Sequence, residues 1–129
     1  MRLQWKFMID NYRDFHVTDL FGKSWHASYR WAQNAISIRH ADSIDVKFEI
    51  SDGSITEEKV IALPHPVLLK LSEKAGRPIT DPWCGKLAAL HLAKMLETGE
   101  DIEKTLVTAT LGELEKYSID LPQPVGVFK

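Results

Sequence analysis

Residues 24–63 read SWHASYRWAQNAISIRHADSIDVKFEISDGSITEEKVIAL, with apolar and polar side chains alternating over most of their length. A period of two marks strands whose two faces meet different surroundings. Trp25, Ala27, Tyr29 and Trp31 share one face, and Ser24, His26, Ser28 and Arg30 share the other. A two-residue turn at Gln33-Asn34 pairs Trp31 with Ile36 and Tyr29 with Ile38. A three-residue loop at Ala41-Asp42-Ser43 then sets Ile38 against Val46 and Ile36 against Phe48. In these registers the apolar face runs unbroken over three strands. The other face carries Arg39 opposite Asp45, with Arg30, Lys47 and Glu49 nearby, a mixed-sign surface that solvation and cross-strand pairing explain.

Ser51-Asp52-Gly53-Ser54 is a hairpin signal, and Ile55 to Leu63 is the returning strand. Its register stays open. A two-residue loop sets Phe48 against Glu57, whereas a three-residue loop sets Phe48 against Thr56 and Ile44 against Val60. Either leaves a charge on the inner face, and Glu57, Glu58 and Lys59 then guard an edge strand. Upstream, Leu3, Trp5, Phe7 and Ile9 alternate as a first strand. After a turn at Asp10-Asn11-Tyr12, Phe15 and Val17 return opposite Phe7 and Trp5, and Phe21-Gly22-Lys23 ends that strand.

Beyond Leu63 the spacing becomes helical. Pro64 and Pro66 flank His65 and stop the sheet, since neither proline donates to a ladder. Val67, Leu68, Leu71 and Ala75 form one stripe, and Gly76 suits a left-handed cap. Asp81-Pro82 starts the next helix as capping carboxylate and first-turn proline. Cys84, Leu87, Ala88, His91, Leu92 and Met95 line its apolar face, and Gly99 closes it. Thr110 and Glu113 have capping-box spacing for a short last helix through Tyr117. Residues 104–109 fit strand or helix, and 119–129 read as an extended tail. The expected architecture is one α+β domain over 1–129. An antiparallel meander of four to six strands (about 2–63) is covered on one face by three helices (about 66–118).

Composition narrows the function by exclusion. The chain has 129 residues, 44% hydrophobic and 26% charged, with a net charge of −2; this is globular, and it supplies no general attraction for nucleic acid. Aromatics interleaved with arginine suit single-strand binding, but Trp25, Tyr29 and Trp31 fall on the face that the helices must cover. No apolar run approaches the roughly 20 residues that span a bilayer. The N-terminus lacks a signal-peptide core, so the expectation is a cytoplasmic protein with no membrane role. Cys84 is the single cysteine, which removes intrachain disulfides from consideration.

The chemical motifs fail on spacing. Gly22-Lys23-Ser24 resembles the end of a phosphate loop, but Val17 stands where that loop needs glycine, and a strand follows instead of a helix. Ser24, His26 and Ser28 share a strand face about 7 Å apart, too far for a histidine to activate a serine. His26 and His40 fall on opposite faces. Cys84 and His91 lie about 10 Å apart along their helix. Neither His-Glu-x-x-His nor Cys-x-x-Cys occurs, so no metal and no other cofactor is expected. Cys84 reads as a small core residue and His91 as a packed histidine with one nitrogen satisfied.

The candidate ligand-binding cluster lies where strand ends meet helix starts. His40 and Asp42 follow the fourth expected strand, His65 and Asp81 bracket the first helix, and Arg77, Trp83 and Cys84 flank the second helix start, Trp83 partly exposed. Their convergence on one rim would suit an anion or a polar ligand. The simpler reading makes Asp42 a turn residue, Asp81 a cap and His65 a linker. With no catalytic motif and a near-neutral surface, the leading expectation is a non-catalytic interaction module for another protein or a second copy of itself. The alternatives are a small-ligand binder or enzyme at that rim, and nucleic-acid binding on the open sheet face.

Overall fold

The computed structural model describes residues 11–35 and 43–120. The elements follow in order as β1 (Asp14–Thr18), β2 (Ser24–Ala35), β3 (Ser43–Ser51), β4 (Thr56–Pro64), α1 (His65–Ala75), α2 (Asp81–Thr98), β5 (Leu106–Thr108) and α3 (Leu111–Asp120). The five strands form one sheet in the order β1-β2-β3-β4-β5. It is an α+β fold, antiparallel from β1 to β4, with β5 joining β4 in parallel. Helix α2 packs against β1 to β4 and α1 against β4, while α3 packs on α1 and α2.

The expected turn at Gln33-Asn34 does not form. Strand β2 continues through it to Ala35 and pairs directly with β3, so Asp45 faces Gln33 instead of Arg39. Residues 36–40, expected as a separate strand, and the expected strand around Leu3 to Ile9 lie outside the described residues. The described partner of β1 is β2, with Phe15 opposite Ala27 and Val17 opposite Trp25.

The phase of β2 also breaks. Tyr29 faces Phe48 and Trp31 faces Lys47, so Arg30 is an extra residue in the ladder. A bulge of this kind moves every following side chain to the other face. Trp25 and Ala27 are buried, Tyr29 is half-buried, and Ala32 packs on the core. Trp31 therefore leaves the core face and lies 36% exposed, with the Lys47 ammonium 5.5 Å from its ring centroid.

The β3–β4 hairpin follows neither expected register. Four residues, Asp52 to Ile55, separate the paired ends Ser51 and Thr56, which sets Phe48 opposite Lys59 and Ile44 opposite Leu63. The Asp52 carboxylate accounts for the longer loop, because it accepts from the N–H groups of both Ser54 and Ile55. The inner-face charge is thus Lys59, 1% exposed. Nor is β4 an edge, since β5 pairs along Val60 to Ala62. Residues 104–109 accordingly include a short strand.

Both glycine caps form as expected: Gly76 and Gly99 take left-handed conformations at the ends of α1 and α2. The capping box also forms, with the Thr110 N–H donating to Glu113 and the Glu113 N–H donating to Thr110. One cluster of buried side chains joins the inner sheet face to the helices. At its margin α2 passes so close to Tyr12 that a Cβ on Gly85 would lie 2.3 Å from that ring.

Candidate functional site

Helix α2 begins one residue earlier in its capping than the sequence suggested. Thr80, not Asp81, is the cap: its hydroxyl accepts from the Trp83 N–H, and Asp81 already belongs to the first turn. Pro82 lacks an N–H, so little donor capacity is left for an anion, and the Asp81 carboxylate repels one. Trp83 is buried at 5% exposure, against the expectation of partial exposure, because the helix turns it into the core. Cys84 is fully buried beside it. Burial, with the Asp81 charge adding to it, pushes the thiol up to about 12.

The other expected site residues are spread around α1. His65 opens that helix and Arg77 follows its cap, so the 11-residue helix separates them by about 16 Å at 1.5 Å per residue. The backbone of Arg77 is held by Ser72, whose carbonyl accepts its N–H and whose hydroxyl donates to its carbonyl. Asp81, Trp83 and Cys84 come together on one turn. His40 and Asp42 lie outside the described residues.

The opposite end of the sheet carries a feature the sequence did not announce. Between β1 and β2, the Asp19 carboxylate accepts from the N–H groups of Phe21 and Lys23 and from the Trp25 indole. Partial burial works upward on this carboxyl, but those donors and the Lys23 charge hold it below the usual carboxylate range. Gly22 takes φ +84°, which closes the turn. With its backbone fixed in this way, the loop holds Leu20 and Phe21 in water, 69% and 90% exposed.

This tip is braced on two sides. The Leu20 N–H donates to the Glu97 carbonyl near the end of α2, and the Lys23 ammonium lies 2.9 Å from Asp52 in the β3–β4 loop. The Ile55 and Ser54 N–H groups, with Lys23, hold the Asp52 carboxyl well below its ordinary value. Ile55, 48% exposed, projects from that neighbouring loop. The signal that could have located this end was Asp19 followed at three residues by Gly22, a hairpin pattern that assigns β1 to β2.

The outer sheet face bears polar side chains from β1 and β2. The imidazoles of His16 and His26 stack at 4.6 Å, and His26 Nε2 contacts the Asp14 carboxylate. Among the described residues no group of three or more His, Cys, Asp or Glu side chains is arranged to hold a metal ion. No described helix is long and apolar enough to cross a membrane.

Comparison of the chain with protein families, with curated proteins and with solved structures returns no match.

Proposed function

We propose that this protein is a non-catalytic interaction module that inserts the Leu20–Phe21 tip into an apolar groove on another protein. The observation that carries the reading is Phe21, a large apolar side chain nine-tenths exposed on a loop that hydrogen bonds hold in place. Solvent exposure of such a ring has no benefit for folding, while a pre-ordered aromatic knob loses little entropy on docking. Leu20, Phe21 and Ile55 together offer on the order of 400 Å² of apolar surface, about half of one side of a standard interface. That area suits an anchor gripped by a concave partner better than two flat copies meeting face to face. The Asp19 and Asp52 carboxylates beside the tip are already taken up by backbone N–H groups and by Lys23, so the apolar surface itself carries the recognition.

The test places a photo-crosslinking amino acid at Phe21, and at exposed Lys70 as a control, in the native host. The expected result is one adduct specific to position 21 whose purified partner binds the unmodified chain. Phe21→Ser should weaken that binding by at least about tenfold, an aromatic hot spot being worth 2 kcal/mol or more. Self-adducts alone would replace the foreign partner with a second copy. The absence of any adduct specific to position 21 would overturn the proposal.

A further inference from the structure

We infer that His16 and His26 form a binding site for a divalent first-row transition metal ion such as zinc or nickel, with Asp14 as its supporting carboxylate. The inference does not rest on the docking role of Phe21. It starts from the ladder between β1 and β2. The Tyr29 N–H donates to the Arg13 carbonyl and the Asp19 N–H to the Lys23 carbonyl, each at 2.8 Å. These bonds join odd-numbered partners. In an antiparallel pair bonded and non-bonded partners alternate, so the even-numbered pairs, His16 opposite His26 among them, are the non-hydrogen-bonded ones. Their Cα atoms lie about 4.5 Å apart, the closest approach a sheet offers to two side chains.

Two imidazoles held in that relation suit a shared ion, since zinc and nickel accept neutral ring nitrogens at about 2.0–2.1 Å. The contact between His26 Nε2 and Asp14 supplies the second part. A ring that donates Nε2–H to a carboxylate carries its lone pair on Nδ1, the arrangement by which outer carboxylates orient metal-bound histidines. Asp14 thus acts by fixing the tautomer and needs no bond to the ion, consistent with the lack of a ready three-ligand group. In the stacked state the rings lie 23° from parallel. A shared ion requires the His16 ring to rotate out of this stack until one of its nitrogens turns toward His26 Nδ1; His16 is exposed on the outer sheet face and the His26 side chain 42% exposed. Water fills the remaining positions of the ion.

The full-length chain, freed of metal with a chelator, is titrated with zinc chloride and with nickel chloride by calorimetry while histidine ring resonances are followed by NMR. The expected result is one ion per chain, with the His16 and His26 signals moving together and those of His65 and His91 unmoved. His16→Asn and His26→Asn should each weaken binding by more than tenfold, and Asp14→Asn by about tenfold, with the circular dichroism of all three unchanged. Lowering the pH to about 5 should release the ion, because protons compete for the same lone pairs. No binding up to millimolar metal would overturn the assignment. So would stoichiometric binding that survives both histidine substitutions.

Discussion

The Lys59 ammonium donates across 2.7 Å to the backbone carbonyl of Lys104. It also donates to the carbonyl of Ile102, and the Glu57 carboxylate lies 3.5 Å away. A lysine on the core face of a strand, opposite Phe48, thereby ties the loop after α2 to β4 just where β5 begins with the bond from Val60 N–H to the Thr105 carbonyl. Lys59→Met keeps the aliphatic stem and leaves two carbonyls without their donor. An unsatisfied buried group costs about 1–3 kcal/mol; since both bonds are only part-buried, urea unfolding should show a loss of about 1–3 kcal/mol in all. Amide exchange at Val60 and Val107 should accelerate more than at Val46. A substitution without effect would mean that the loop holds its place independently of the lysine.

Gly85 gives a second stability prediction, founded on sterics alone. A methyl group there meets Tyr12 Cε2 at 2.3 Å and Cδ2 at 2.7 Å, and a buried ring cannot move aside as a flexible chain end does. Gly85→Ala should destabilise the fold by about 1–3 kcal/mol through overpacking, despite the better helix propensity of alanine. In the Tyr12→Leu background the same change should cost much less, so a double-mutant cycle measures the clash directly. Additive effects would place the tyrosine elsewhere.

The Arg30 bulge separates two tryptophans that the alternating pattern puts on one face. Trp25→Ala should cost about 3–5 kcal/mol, as an aromatic core truncation does. Trp31→Ala should cost less, about 1–2 kcal/mol, since the ring lies outside the core, 36% exposed and against Lys47. Acrylamide quenching of single-tryptophan variants should rank Trp31 well above Trp25. Equal quenching would restore the unbroken phase.

The contrast between these two residues marks what this sequence discloses. Periodicity reports faces, so β3, with Ile44, Val46, Phe48 and Ile50 all buried, was legible. So were helix ends carried by local chemistry, such as Gly76, Gly99 and the Thr110–Glu113 box. A one-residue bulge leaves no mark in composition, and loop length is not legible where the Asp52 side chain closes the turn by accepting from the Ser54 and Ile55 N–H groups. The pairing of β1 with β2 is a choice among partners that alternation cannot make, and it alone brings His16 beside His26. Phe21-Gly22-Lys23 reads from sequence as the end of a strand, and only the Asp19 carboxylate, which accepts from the Phe21 and Lys23 N–H groups, makes it a fixed tip.

Cys84 should be chemically silent. Its thiol is fully buried and pushed up to about 12 by burial, so both access and thiolate population are lacking at neutral pH. Ellman's reagent should label the native chain only at the rate of unfolding and label it at once in denaturant. Fast labelling under native conditions would contradict this placement of the first turn of α2.

His91 provides the pH dependence. Its Nδ1 meets the Tyr117 hydroxyl at 2.9 Å, and its Nε2 has no partner among the described residues. Burial depresses its pKa below the ordinary 6.5; Glu113, Asp101 and Glu100 act upward and Lys94 downward, and burial prevails. The unfolded chain therefore takes up this proton at a higher pH than the folded one does. Stability associated with the neutral ring is complete above about pH 6.5 and declines as the pH falls through that value, levelling off once the folded form is protonated too. Urea midpoints measured from pH 8 to pH 5 should fall in that direction, with the amide protection factors of α3, corrected for the intrinsic exchange rate at each pH, falling in step because Tyr117 belongs to that helix. His91→Gln removes the titrating group, so the variant should be less stable at pH 8 and vary less with pH. An unchanged slope in that variant would assign the pH dependence to other groups.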